Sequence, residues 1–246
     1  MLSTDQQLGC VTTHVVKAPA ALVSAQVAAP QIELQPKVWE ALAALTEQAQ
    51  QDGIALSVAS GFRSFERQLG IWNRKYRGEQ ALYDSHGNQL DAQTLTPGEK
   101  IDAILTWSAL PGASRHHFGT DLDVYDPRPF ANPEQPRLQL LASEYSEGGP
   151  CFELAAWLKR HAHEFGFFLP YARYQGGIAA EPWHLSFRAE AEAVRANYSL
   201  EALAEAIAAA PMEGKQCVLA RLEQIKERYL DNICTDSGWS DIWCGY

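Results

Sequence analysis

Two periodicities divide the chain. Val38, Leu42, Leu45 and Ala49 fall on one helical face; Pro36 suits a first helical position and Gly53 a stop. Ile54, Leu56 and Val58 then alternate with polar positions, which predicts a half-buried strand broken by Ser60-Gly61. A second helix is expected from about Ser64, with Phe65, Leu69, Trp72 and Tyr76 in line, and a short third from Glu99 to Trp107. Asp121 to Tyr125 reads as a strand. Phe152 to Phe165 is amphipathic and capped by Gly166, and Trp183 to Arg188 alternates as another strand. Helices over about Leu200–Ala209 and Cys217–Leu230 close the pattern.

Between these elements the periodicity fades. Residues 1–35 read as an irregular lead-in with one short strand around Thr12 to Val16. Gly78 to Pro97 reads as a polar surface excursion, and Asp126 to Gly149 as loop. Helices mixed with short, separated strands predict an α+β fold, a small sheet backed by helices. The expected division is a lead-in over 1–35, a principal domain over 36–198 and a helical tail over 199–246 packed on it.

Composition narrows the function. The chain has 246 residues, 46% hydrophobic and 20% charged, as in an ordinary globular protein. A formal charge of -10 with no basic run argues against nucleic-acid binding. It leaves room for an anionic substrate held by one local arginine. No apolar run approaches the roughly 18 residues of a membrane span. The N-terminal stretch lacks a signal-peptide pattern, so the expectation is a cytoplasmic monomer, or an envelope protein if a leader is missing. The five cysteines form no CxxC pair; reduced thiols are expected, with a Cys234–Cys244 disulfide as the alternative.

The chemistry concentrates in SRHHFGTDLDVYD, Ser114 to Asp126. Asp121 and Asp123 share one face of the predicted strand. EPWH, Glu181 to His184, opens another strand, and pairing the two would place His184 beside Asp123. Two imidazoles and a carboxylate can hold a catalytic Zn²⁺ with a position open for water. Glu181 could be the base that takes the proton from that water. Each fragment alone reads more readily as polar residues on the surface than as ligands. A third fragment, SGFRSFERQ, carries Arg63 at the end of a strand, where a guanidinium could meet a carboxylate or an oxyanion. His117 is expected to be exposed or supporting, and Asp126 an ordinary loop residue. His161 and His163 are expected on the surface, and His14 and His86 to lack partners.

Together the fragments fit SxHxxGxxxD, EPWH and an upstream SGFRSxxxQ, in that order. Over about Pro36 to Arg188 this resembles the LAS zinc peptidases, and most of all the VanY-type D-alanyl-D-alanine carboxypeptidases. The resemblance implies a small antiparallel sheet carrying one Zn²⁺ per chain, backed by helices in the hedgehog and D-Ala-D-Ala peptidase manner. It implies His116, Asp123 and His184 as ligands and Glu181 as general base to zinc-bound water. It also implies Arg63 at the scissile carbonyl, with Gln68, Ser114 and Tyr174 on the substrate side. The implied substrate is a peptidoglycan stem peptide that loses its terminal D-alanine. Asp121 departs from the family, which often has alanine there; it could hydrogen-bond a histidine ligand from behind. L,D-carboxypeptidase or endopeptidase action uses the same scaffold. A non-catalytic zinc module is disfavoured by Glu181, and an Fe(II) oxygenase by the helix-rich pattern.

Overall fold

The structure is a computed structural model that describes residues 1–235 apart from Pro133 and Gln135. The stretch before Pro36 is more ordered than its composition suggests. It holds α1 (Thr4–Gln7), β1 (Val16–Lys17), α2 (Ala20–Ser24) and β2 (Glu33–Leu34), with β1 and β2 paired antiparallel. Elements this short bury only a few apolar residues each, such as Leu22 and Leu34, and leave little periodicity to read.

Helix α3 (Pro36–Gln51) buries Val38, Trp39, Leu42, Leu45 and Ala49, the face its periodicity marks. Strand β3 (Ser57–Ser60) starts three residues later than the alternation at Ile54 suggests. The Ile54 amide still bonds the Ala49 carbonyl at 2.8 Å, so it belongs to the helix exit rather than the sheet. Helix α4 (Phe65–Tyr76) begins at Ser64, whose side chain caps the Arg67 amide. The polar excursion contains a small hairpin, β4 (Leu82–Tyr83) and β5 (Gln89–Leu90), anchored by buried Leu82. Helix α5 (Pro97–Trp107) follows a Thr96–Glu99 capping box.

Strand β6 (Asp121–Tyr125) is central in the main sheet. After it come α6 (Ala142–Tyr145), α7 (Phe152–His161), β7 (Phe167–Phe168) and β8 (His184–Phe187). The sheet order is β3-β6-β8-β7, all antiparallel. The chain then forms α8 (Arg188–Arg195), α9 (Leu200–Ala209), α10 (Lys215–Ala220) and α11 (Leu222–Ile225), and a π-helical turn from Lys226 to Asp231. The final helix expected from periodicity is therefore broken, with Arg221 (φ -123°) at the break.

Two apolar clusters flank the sheet. One packs Leu42, Leu45 and Leu158 against Leu122, Val124 and Leu185. The other joins α4 and α5 to the C-terminal helices through Trp72, Ile104, Leu203, Val218 and Ile225. The alternation that buries Leu122, Val124 and Leu185 turns Asp121, Asp123, His184 and Ser186 to the opposite face. Asp126 is not ordinary loop: its carboxylate is 3% exposed and holds the Arg128 guanidinium. Cys10, Cys151 and Cys217 are free thiols. The alternative pairing of Cys234 involves Cys244, which lies outside the described residues. No helix among the described residues is long and apolar enough to cross a membrane.

His117 is neither exposed nor idle. Its Nδ1 donates to the Arg63 carbonyl at 2.5 Å, and its Nε2 accepts from the Gly112 amide at 3.0 Å. His14 is partnered as well, donating from Nε2 to the His117 carbonyl at 2.9 Å. Burial holds His117 neutral and pushes its pKa down to about 3. Two residues on, Gly119 adopts φ +68°, and a Cβ there would lie 2.4 Å from Val15 Cγ1.

Two outcomes follow. Gly119→Ala is expected to lose about 2–3 kcal/mol, strain plus a collision. Gly53→Ala, also at positive φ but with open space around it, should lose only about 1 kcal/mol. Thermal unfolding of both separates contact from conformation. Unfolded His117 titrates near its ordinary value and the folded residue near 3. Its contribution is thus full above about pH 6.5 and is lost as pH falls, by about 1.4 kcal/mol per unit. Denaturant unfolding between pH 6.5 and 4 should show at least that slope, because buried His116 adds to it with the same sign.

Candidate metal centre

Register builds the site. On β6 and β8, Asp121 faces Ser186 and Asp123 faces His184, while Ser60 of β3 lies opposite Asp123 on its other side. His116 comes from the 3-10 turn Arg115–Phe118, which follows Ser114 and ends at left-handed Gly119. That turn zips onto the SGFR segment: the Arg63 amide donates to the His116 carbonyl, and His117 donates back to the Arg63 carbonyl.

His116, Asp123 and His184 each offer a ligand atom within 4.8 Å of the others, and all three are buried. His116 Nδ1 donates to the Gly61 carbonyl at 2.8 Å, which leaves Nε2 as the lone-pair nitrogen, 3.5 Å from Asp123 Oδ2. His184 Nε2 donates to Asp121 Oδ1 at 2.9 Å, which turns Nδ1 toward Asp123 Oδ1 and Glu181 Oε2, both at 3.3 Å. Asp123 Oδ2 accepts from Ser60 at 2.5 Å; its Oδ1 is buried without a hydrogen bond. Lone pairs from two imidazoles and a carboxylate therefore meet with no proton between them when His184 is neutral. A cation resolves that convergence, and this donor set fits a metal ion.

The protonation balance agrees. Burial alone would lower the His184 pKa, but Asp121, Asp123 and Glu181 outweigh it and raise it well above the usual value. A proton can thus occupy the place of a metal. Burial pushes His116 down to about 4, against the pull of Asp123. Asp123 is held below the usual carboxylate range despite its burial, first by His116 and then by His184.

Asp121, expected from the sequence to hydrogen-bond a histidine ligand from behind or to face away, is the most heavily hydrogen-bonded carboxylate in the centre. Besides His184 it accepts from Arg115 Nε at 2.7 Å, Thr120 at 2.5 Å and Ser186 at 3.1 Å. Burial would raise its pKa; Arg115, His184 and Thr120 bring it down to about 2. Arg115 also donates to Ser186 Oγ at 2.5 Å, and its buried Nη1 has no hydrogen bond. Nothing in the sequence singled out Arg115; the repeat of two between Asp121 and Asp123 was the one available signal that a second carboxylate faces the site.

A cleft of about 210 Å³ opens on the cluster, lined by Arg63, Ser114, Tyr171, Ile178, Glu181 and Trp183 among others. A larger groove of about 380 Å³, beside Arg128 and Phe152, lies away from these residues. Gln68 is buried behind the wall. Its Oε1 accepts from Arg63 Nη1 at 2.8 Å, and its amide donates to the Ala109 carbonyl at 2.6 Å. Tyr174 is 45% exposed and outside the lining; Tyr171, three residues earlier, is the tyrosine that packs edge-on to His184 at 4.9 Å.

Known proteins match this chain over the same core. It is 36% identical over 127 residues to an uncharacterised protein of Haemophilus influenzae, covering 51% of this chain and 95% of that one. It is 30% identical over 146 residues to a D-alanyl-D-alanine carboxypeptidase of Enterococcus faecalis, covering 58% of this chain and 44% of that protein. Among solved structures, VanYB in complex with D-Ala-D-Ala shares 23% identity over 71% of this chain and 83% of its own, with a TM-score of 0.45. The LdcB LD-carboxypeptidase shares 17% over 76% and 74%, with a TM-score of 0.49. The family model for VanY, D-alanyl-D-alanine carboxypeptidase, matches residues 31–190. The chain belongs to the VanY D-alanyl-D-alanine carboxypeptidase family of metallopeptidases.

Proposed function

We propose that this protein is a zinc-dependent carboxypeptidase that removes the terminal D-alanine from peptidoglycan stem peptides. The observation that carries the reading is the convergence of His116 Nε2, Asp123 and His184 Nδ1, with Glu181 3.3 Å from His184. Those three side chains would hold the metal. Zinc at such a site acts as a Lewis acid, acidifying water and polarising a carbonyl.

Glu181 is the general base in this reading. It lines the cleft with its side chain 15% exposed, takes the proton of the attacking water and delivers it to the departing amine. Arg63 donates toward the carbonyl oxygen as negative charge grows there. Gln68 serves by holding that guanidinium, rather than by touching substrate. Ser114, 1% exposed and on the cleft wall, is a polar contact for the peptide. Asp121 fixes the tautomer of His184 and raises its basicity, while Arg115 keeps Asp121 charged. Every group comes from one chain, so the reading requires no second copy.

The direct test incubates zinc-loaded protein with a pentapeptide ending D-Ala-D-Ala and a tetrapeptide ending in one D-Ala, against a chelated control. Mass spectrometry should show metal-dependent loss of one residue from the pentapeptide. Cleavage of the tetrapeptide alone would move the enzyme to the L,D class, and cleavage of neither would overturn the carboxypeptidase reading.

Glu181→Ala should keep its zinc while turnover falls by about 10²- to 10⁴-fold. Asp121→Asn should weaken zinc binding by about 10- to 100-fold in a chelator competition. Zinc must displace the proton that the carboxylates hold on His184, so affinity falls as pH drops below that raised pKa. In Asp121→Asn, which removes one of those carboxylates, the decline should begin at lower pH.

A further inference from the structure

The family match ends at residue 190, yet the chain beyond it touches a segment that lines the cleft. The segment from Pro170 to Glu181 carries Tyr171 and Ile178 on the cleft wall and delivers Glu181. It has no helix or strand of its own. One end is tied by the Glu181 amide to the Tyr171 carbonyl at 2.9 Å, and Ala179 bonds the Thr106 carbonyl at 2.8 Å. The middle is held from outside. Arg228 Nε donates to the Gly176 carbonyl at 2.6 Å, Asn232 Nδ2 to the Gln175 carbonyl at 2.8 Å, and the Cys234 amide to the Pro170 carbonyl at 2.8 Å.

Packing repeats the hydrogen bonding. Ile178 shares an apolar cluster with Ile225, Tyr229 and Ile233. A Cβ on Gly177 would lie 2.2 Å from the Arg228 carbonyl, so the loop and the tail are in backbone contact. The donors issue from or just beyond the π-helical turn Lys226–Asp231, whose wider pitch shifts successive side chains relative to an α-helix.

We infer that Arg228 and Asn232 are positioning residues for substrate: the C-terminal tail fixes the cleft wall formed by Tyr171 and Ile178. This rests on the carboxypeptidase reading above. The metal ligands are held by the sheet register and by bonds to Gly61 and Asp121, none of which involves the tail, so releasing the clamp leaves metal binding intact and loosens the peptide site.

The test uses the full-length chain as Arg228→Ala/Asn232→Ala, with Arg228→Lys as the conservative variant and Gly177→Ala as a perturbation from the loop side. Should the double variant fail to fold, Gly177→Ala replaces it. Amide hydrogen exchange over residues 171–179 should accelerate. KM for the D-Ala-D-Ala pentapeptide should rise about 5- to 10-fold, the scale of one or two lost hydrogen bonds, with kcat within about 2-fold and zinc affinity unchanged. Arg228→Lys, which keeps a donor, should restore most of KM. Faster loop exchange with an unchanged KM would make the tail merely structural and overturn the inference. So would a fall in kcat accompanied by loss of zinc. If the unaltered protein binds the pentapeptide without cleaving it, the carboxypeptidase reading fails alone. The clamp is then judged by peptide affinity, and equal affinity in the variants overturns it.

Discussion

The pairing of β6 with β8 is the constraint on which the centre depends. Because side chains repeat every two residues along a strand, one register places all of Asp121, Asp123, His184 and Ser186 on a single face and all of Leu122, Val124 and Leu185 on the other. A slip of one residue would turn the charges into the apolar cluster and the leucines into the polar centre. The apolar face thus enforces the geometry of the polar one. The same packing that stabilises the sheet sets His184 against Asp123.

That register was legible in the sequence, because alternation in DLDVY and WHLSFR marks both strands and the polar positions within them. The long helices were legible for the same reason. What escaped was held by contacts that leave no period. The N-terminal 35 residues fold through single anchors, such as Trp39 donating from Nε1 to the Val16 carbonyl. His117 was expected to be exposed or supporting; its partners could not be named because they are main-chain atoms of Gly112 and Arg63, silent in composition. Arg115 was overlooked because a lone arginine beside two histidines has no spacing to betray it. Its importance comes only from the fold, which brings it to Asp121. The Tyr174 placement missed by three residues because loop direction, unlike strand alternation, cannot be read from a motif.

The centre also shows how buried charge is arranged. Asp121 and Asp123 are almost fully enclosed, an unfavourable place for two carboxylates unless each is compensated. Asp121 has Arg115 and three further donors. Asp123 accepts from Ser60 through one oxygen, and its other oxygen lies on the side shared with the two imidazoles, 3.3 Å from His184 Nδ1. The asymmetry assigns the pair different tasks: one carboxylate is spent on the protein, the other is kept for a cation.

Among the described residues, the tail bonds to the Gly176, Gln175 and Pro170 carbonyls, all of them main-chain acceptors. A carbonyl is the same whatever side chain it belongs to. These three bonds therefore hold the path of the segment without specifying the side chains of Gln175 and Tyr174. Substitution there can change the outer surface of the loop while Tyr171 and Ile178 keep their places on the cleft wall.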